Sequence, residues 1–206
     1  IPAGRSLYGA ASQSQSFGLI VSGVVKLVIT KPDGRQQIVG LQFPSDFVGR
    51  PFADNPNISA EAATNLELCS FSARAFETLR REHPEVERAL LNRIGRDLDA
   101  AREWTFLLGH TTALERVAAL LRMIAERMTP SQVPASPDRN KMLLPLSRQE
   151  LAECLGLRLE TVCRQITRLK QRRIIATSGR RNFEVLDMNR LRDCTDARVL
   201  VAEPAA

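Results

Sequence analysis

The sequence predicts an α+β chain: an N-terminal antiparallel β-roll, one long helix, and a C-terminal pair of short helices followed by two short strands. Three observations carry this. Val- and Ile-rich runs separated by turn signals occupy residues 17–71. An apolar repeat in alternating steps of three and four begins at Leu91, and a capping box, a glycine and a basic amphipathic segment follow in order from Ser147. The first pattern belongs to closely spaced strands, the second to a helix that pairs with another helix, the third to two helices joined by a tight turn.

The roll is expected over residues 1–83. "GLIVSGVVKLVIT" breaks at Ser22-Gly23, and "KPDGRQQIVGLQF" carries a Pro-Asp-Gly turn at Pro32 to Gly34. "FPSDFVGRPFADNP" is rich in turn residues, and "ISAEAATNLELCSFS" returns to strand character up to Ser72. "SARAFETLRREHP" then reads as a short helix ending near His83, because a residue before proline is pushed out of the helical region.

Residues 84–128 are expected to hold a long helix and the helix after it. Leu91, Ile94, Leu98, Ala101, Thr105 and Leu108 form an a/d seam on the first. Self-pairing across a two-fold axis is the economical use of such a seam, so a homodimer is expected. Packing of the stripe within its own domain is the alternative. After Gly109 and Thr111-Thr112 a second helix places Leu114, Val117, Ala118, Leu121, Ile124 and Met128 on one face. "TPSQVPASPDRNK", residues 129–141, is dense in Pro and Ser and reads as a linker before a domain at 142–206.

Composition excludes several functions. At 206 residues, 44% hydrophobic and 25% charged, the chain can fill two modest cores. No run of about 18 apolar residues exists, so no membrane partner is expected. The opening "IPAGRSLYGA" lacks an initiator Met and a signal-peptide pattern, which suggests a start inside a longer chain. Cys69, Cys154, Cys163 and Cys194 form neither a disulfide framework nor a C-x-x-C site, which suits reduced thiols in a cytoplasm. His83 and His110 stand apart from every Cys and from each other, so they are given buried or capping roles. No metal or other cofactor is expected. Without a nucleophile–base pair, a Gly-rich phosphate loop or a carboxylate cluster, the chain is not expected to be an enzyme.

Charge then localises the function. Between Ser147 and Phe183 nine Arg and Lys face three Glu, which accounts for the whole net charge of +6. A concentrated basic region suits a phosphate-bearing partner, with a solvated face as the alternative. Ser147 and Glu150 make the capping box of a helix that Gly156 ends, and a second helix begins around Arg158 or Leu159. Ala152, Gly156 and Val162 meet the needs of a helix-turn-helix: a small residue at the crossing, a glycine in the turn, a β-branched residue in the shared core.

On the second helix Val162, Ile166 and Leu169 form the packed face, and Glu160, Cys163, Arg164 and Thr167 the opposite one. That opposite side enters the major groove of double-stranded DNA in such motifs. Arg164 can donate to guanine O6 and N7, Glu160 can accept from cytosine N4, and Leu159 can pack on a thymine methyl. Glu160 is also four residues before Arg164, so an intrahelical salt bridge of about 0.3 to 0.5 kcal/mol is expected in the free protein. Ser147, Arg148, Arg158, Arg168, Arg180 and Arg181 are assigned to phosphates, together with Lys170, Arg172 and Arg173 or as solvated charge. Cys163 is either a serine-sized substitute or a redox-sensitive thiol whose oxidation adds bulk and negative charge at the groove. "IIATSGRRNFEVLD" completes a winged helix-turn-helix, with Arg180 and Arg181 near the tip.

A strand-rich roll, a long dimerisation helix and a winged helix-turn-helix carrying "LETVCR" resemble the CRP/FNR family of bacterial transcription regulators. The resemblance implies that Glu160 and Arg164 form the family's Glu-x-x-x-Arg pair, which reads a G·C pair in each half-site. Leu159 in place of arginine resembles the FNR/FixK branch. A palindromic TTG-N8-CAA site and recruitment of RNA polymerase are implied as well. Where cyclic-nucleotide members carry Gly-Glu and Arg-Ser pairs, this chain has "DFVGRPFADNPNISAEAAT" with neither. Cys69 falls about where iron–sulfur members keep their roll cysteine, yet a lone thiolate cannot hold a cluster, so a buried structural role is expected. The FixK type, free of effector, is the best match, and a sequence-specific activator in a bacterial cytoplasm, on the nucleoid when bound to DNA, is the expected function. A ligand-gated or redox-gated regulator of the same family is the alternative.

Overall fold

The computed structural model describes residues 1–8, 17–49, 58–128, 141–179 and 181–195. The chain divides into two units, Ile1–Phe106 and Leu107–Ala206.

Alternation of apolar and polar side chains builds the first unit from β1 (Ser6–Tyr8), β2 (Phe17–Ser22), β3 (Val25–Thr30), β4 (Gln36–Gln42), β5 (Phe47–Val48), β6 (Ile58–Ala62) and β7 (Glu67–Phe71). They form two antiparallel sheets, ordered β1-β6-β3-β4 and β5-β2-β7. The Ser22-Gly23 break does not close a hairpin. It carries the chain from the three-stranded sheet to the four-stranded one. Gly23 has φ +92, and a Cβ there would lie 2.3 Å from the Asn65 carbonyl oxygen, so both conformation and space require glycine. Ile20, Val25, Val48, Ala60, Ala62 and Leu66 fill the core.

α1 (Ala73–Glu82) starts where the Ser72 hydroxyl accepts from the Ala75 amide. It stops at His83, which donates its backbone N–H to the Leu79 carbonyl, because Pro84 opens α2 (Pro84–His110). His83 is an exposed cap, and His110 an exposed residue at the end of α2. Cys69 was expected to be buried, and this is corrected: it is exposed. β7 is an edge strand of its sheet, and its alternation turns Leu68 toward the core and Cys69 away.

One polar contact anchors α2. In the turn Phe43 to Asp46, Ser45 has φ +72 and Pro44 stands before it, the pattern of a type II turn. Asp46, 2% exposed, accepts from the Phe43 amide and from Arg93 Nη1 at 2.6 Å. Burial pulls the Arg93 guanidinium down, but Asp46 and Asp97 outweigh it and hold its pKa above the ordinary arginine value. No residue of α2 is buried, and Leu91, Ile94 and Leu98 of the predicted seam are 62%, 54% and 50% exposed. Ala101 and Thr105 are exposed and Leu108 is half-buried.

The second unit holds α3 (Ala113–Met128), α4 (Arg148–Leu155), α5 (Leu159–Gln171) and α6 (Met188–Asp193) with β8 (Lys141–Leu143), β9 (Ile175–Ser178) and β10 (Asn182–Val185). Val117, Ala118, Leu121 and Ile124 of α3 are buried, as its periodicity predicts, while Leu114 and Met128 are half-buried. α3 packs on α4, α5 and α6. The division between the two units falls at 106/107, so α3 lies with the helix-turn-helix, whereas the expected domains grouped it with α2. Of residues 129–141 only Lys141 is described. The wing has three antiparallel strands, β8-β10-β9, because the apolar run before Ser147 also pairs. α6 was not foreseen. Its signal was Asp187, whose carboxylate caps the Arg190 amide ahead of the buried Leu191.

Removing the Arg93 charge leaves the Asp46 carboxylate buried without its cation. Arg93→Ala is expected to destabilise the first unit by about 3 kcal/mol in urea denaturation followed by circular dichroism.

Candidate nucleic-acid interface

The geometry of the site begins at Ser147. Its hydroxyl accepts from the Glu150 amide at 3.2 Å, while the Glu150 carboxylate accepts from the Ser147 amide at 2.7 Å. Two N–H groups that α4 would leave unpaired are thereby satisfied. The helix ends at Gly156, φ +61, whose N–H reaches the Ala152 carbonyl, and Leu157 bonds to the same oxygen. That left-handed residue redirects the chain within two residues into α5.

α5 then seats itself by burial. Val162, Ile166 and Leu169 are 0%, 4% and 0% exposed, each contributing roughly 1.5 to 3 kcal/mol against the neighbouring helices. Ala152 is buried with them, where α4 and α5 meet. With that face fixed, Leu159, Glu160, Cys163, Arg164 and Thr167 are exposed together. The four proposed base readers thus share one solvent-facing surface at the N-terminal half of α5.

The expected salt bridge is not there. Among the described residues, Glu160 and Arg164 have no hydrogen-bond or ion-pair partner, in each other or elsewhere. An exposed i,i+4 pair gains too little to hold two long side chains in one rotamer pair. Both carboxylate and guanidinium therefore stand solvated on the surface.

The basic residues around them differ in setting. Arg158 and Arg168 are exposed. Arg148, the first residue of α4, is half-buried, and its Nη1 is buried without a hydrogen-bond acceptor. Burial pulls its guanidinium below the ordinary arginine range, and the nearby Cys163 opposes that shift. Arg181 is 3.9 Å from the capping carboxylate of Glu150, an ion pair too long and exposed to contribute much. Arg180 lies outside the described residues.

Sequence reasoning missed the residues that tie α3 to the motif. Arg116 donates from Nε to the Thr111 carbonyl at 3.1 Å and from Nη1 to the Leu155 carbonyl, at the end of α4, at 3.4 Å. Glu115, 6% exposed, caps α3 by accepting from the Thr112 amide. The Thr-x-x-Glu spacing at Thr112 and Glu115 was the available signal. Cys154 is a buried thiol, and burial pushes its pKa up to about 12. Among the described residues no group of three His, Cys, Asp or Glu side chains is placed to hold a metal ion, and no helix is long and apolar enough to cross a membrane.

Comparison with known proteins covers both units. The Crp-like helix-turn-helix domain family matches residues 115–194, and the cyclic nucleotide-binding domain family matches residues 1–83. A probable transcriptional activator of Rhizobium leguminosarum bv. viciae is 45% identical over 93% of this chain and 78% of its own length. The transcriptional activator protein FnrL of Cereibacter sphaeroides is 41% identical over 92% of this chain and 76% of its own. The structure of FixK2 from Bradyrhizobium japonicum superposes with a TM-score of 0.80 at 28% identity, covering 99% of this chain and 96% of that one.

The four thiols separate by accessibility. At pH 8 a thiol-reactive dye is expected to label the exposed Cys69 and Cys163 quickly, Cys194 more slowly, and Cys154 only after unfolding in urea. Because the folded-state pKa of Cys154 is raised, its burial costs nothing below the unfolded thiol value of roughly 8.5, and stability falls as pH rises from there toward about 12.

Proposed function

This chain belongs to the CRP/FNR family of transcription regulators, and we propose that within it the protein is a homodimeric activator that reads a palindromic TTG-N8-CAA site. The observation that carries the reading is the outward face of α5, where Glu160 and Arg164 stand exposed and uncommitted beside Leu159 and Cys163. A carboxylate in the first turn of α5 suits the helix dipole, but a surface that bound only phosphates would have no further use for it. A G·C pair has one: Glu160 accepts from cytosine N4 while Arg164 donates to guanine O6 and N7. Leu159 packs on a thymine methyl, and Cys163 borders the same pair.

Phosphates then set the register. Arg148 supports this role because it opens α4, half-buried beside Cys163 at the edge of the α5 surface. Arg158, Arg168 and Arg181 extend the basic border, Arg180 is assigned to a phosphate by its place in the sequence alone, and the Ser147 cap holds the α4 end that carries Arg148. The row Leu91, Ile94, Leu98, Ala101, Thr105 and Leu108, exposed but for the half-buried Leu108, pairs with its copy on a second chain and spaces two α5 helices about one turn of DNA apart. The relatives named as transcriptional activators support an activating role, which we assign to recruitment of RNA polymerase in the cytoplasm. Operation without a cyclic nucleotide is supported by the segment "DFVGRPFADNPNISAEAAT", which holds neither a Gly-Glu nor an Arg-Ser pair.

Two measurements test the reading. In gel shifts with no added small molecule, Arg164→Ala is expected to cost about 1 to 3 kcal/mol on the palindromic site and little on random DNA; equal losses on both would remove the base-reading role. Leu98→Glu is expected to turn a dimer into a monomer by light scattering and to weaken binding to the full palindrome by at least tenfold; an unchanged dimer would dismiss the seam.

A further inference from the structure

The first unit contains an apolar pocket of about 260 Å³ on the outer side of its three-stranded sheet. Strand alternation separates the two sides. Ile20, Val48 and Leu68 turn toward the core of the roll, so Leu19, Phe47 and, three positions beyond Leu68, Phe71 turn outward. Leu19 and Phe47 are cross-strand partners. α1 adds Phe76 and Leu79 to the pocket, and the first turns of α2 add Val86, Ala89 and Leu90.

Packing at this place is incomplete. Phe76 is 3% exposed, but Leu79 is 38% exposed, Ala89 is exposed, and the other lining side chains are only half-buried. Apolar groups that border open space lose dispersion contacts on that side and gain little from leaving water. The start of α2 is affected most. None of its residues is buried, and Val86, Leu90 and Arg93, at i, i+4 and i+7, share the side by which the helix meets the roll. The contact of Arg93 with Asp46 therefore stands about one turn along α2 from the pocket, and Phe47 follows Asp46 directly.

Size and polarity define what fits. The lining side chains are all apolar and almost no polar surface is presented, so a nucleotide, a sugar or an ion would lose its hydration without gaining partners. An apolar cavity of about 150 Å³ already holds a benzene molecule, whereas drug-sized ligands need about 300 Å³ or more. Phe47, Phe71 and Phe76, from two strands and a helix, offer ring faces and edges to a guest between those sizes.

We propose that this pocket binds a small neutral apolar molecule, about the size of a substituted benzene ring, and that the bound molecule packs the start of α2 against the sheet. It fills the open side of Val86 and Leu90 and so adds an apolar contact beside the Asp46–Arg93 anchor. Every lining residue belongs to the first unit, so the site does not rest on the base-reading role.

Toluene serves as the probe, with benzoate as a charged control of the same ring. In scanning calorimetry of the full chain, millimolar toluene is expected to raise the melting temperature of the first unit, the transition that Arg93→Ala lowers, by about 3 °C, and benzoate to leave it unchanged. Hydrogen exchange of the amides between residues 85 and 93 is expected to slow severalfold with toluene. Ala89→Phe, a change at an exposed helical position, places a ring in the pocket from within the chain. That variant is expected to melt no lower than the wild type and to lose most of the toluene shift. A first unit unmoved by toluene, an equal shift with benzoate, or a toluene shift and exchange slowing that persist in full in Ala89→Phe overturns the site.

Discussion

Everything the second unit offers to a partner depends on the burial of Val162, Ile166 and Leu169. A helix has one rotation at which those three side chains leave water together, and at that rotation Glu160, Cys163, Arg164 and Thr167 have no choice but to face out. The energy of the packed face thus orients the chemical one. Ala152 makes room for α5 to sit close to α4, and the left-handed Gly156 makes the bend that brings the two helices together within so few residues. The capping box at Ser147 and Glu150 fixes where α4 begins, and with it the position of Arg148 beside Cys163.

The first unit is organised by an analogous pairing of packing with one buried polar contact. Its apolar core closes the two sheets, but α2 contributes no buried side chain and is tied to the roll through Arg93 and the carboxylate of Asp46. A helix held that way keeps its apolar row toward solvent. The burial missing within one chain is what a second copy supplies in the proposed dimer, and it explains why an exposed leucine seam is tolerable on a helix of 27 residues. In the second unit Arg116 plays a comparable part, joining the start of α3 to the end of α4 through two carbonyl oxygens.

Much of this was legible in the residues. Turn signals located the strands, Pro84 located the α1–α2 junction, and the spacing Ala152, Gly156, Val162 located the helix-turn-helix, because each rests on local backbone chemistry. The misreadings concern contacts between distant residues. The exposure of Cys69 depends on β7 lying at a sheet edge. The place of α3 depends on what covers its apolar face, and a Pro-rich stretch after it says nothing of that. The Glu160–Arg164 pair failed for a different reason: spacing permits it, but a solvated pair gains too little to override side-chain freedom.

By itself, then, the sequence determined which residues share a helix face, where helices start and stop, and that one region carries the excess positive charge. These follow from periodicity, capping and composition, which act over a few residues. Only the tertiary structure decided that Asp46 would be buried against Arg93, that Arg148 would be half-buried next to Cys163, and that Arg116 would reach the Leu155 carbonyl. Those groups lie on separate elements, and their proximity is set by how apolar faces pack, a property of the whole unit that no local pattern encodes.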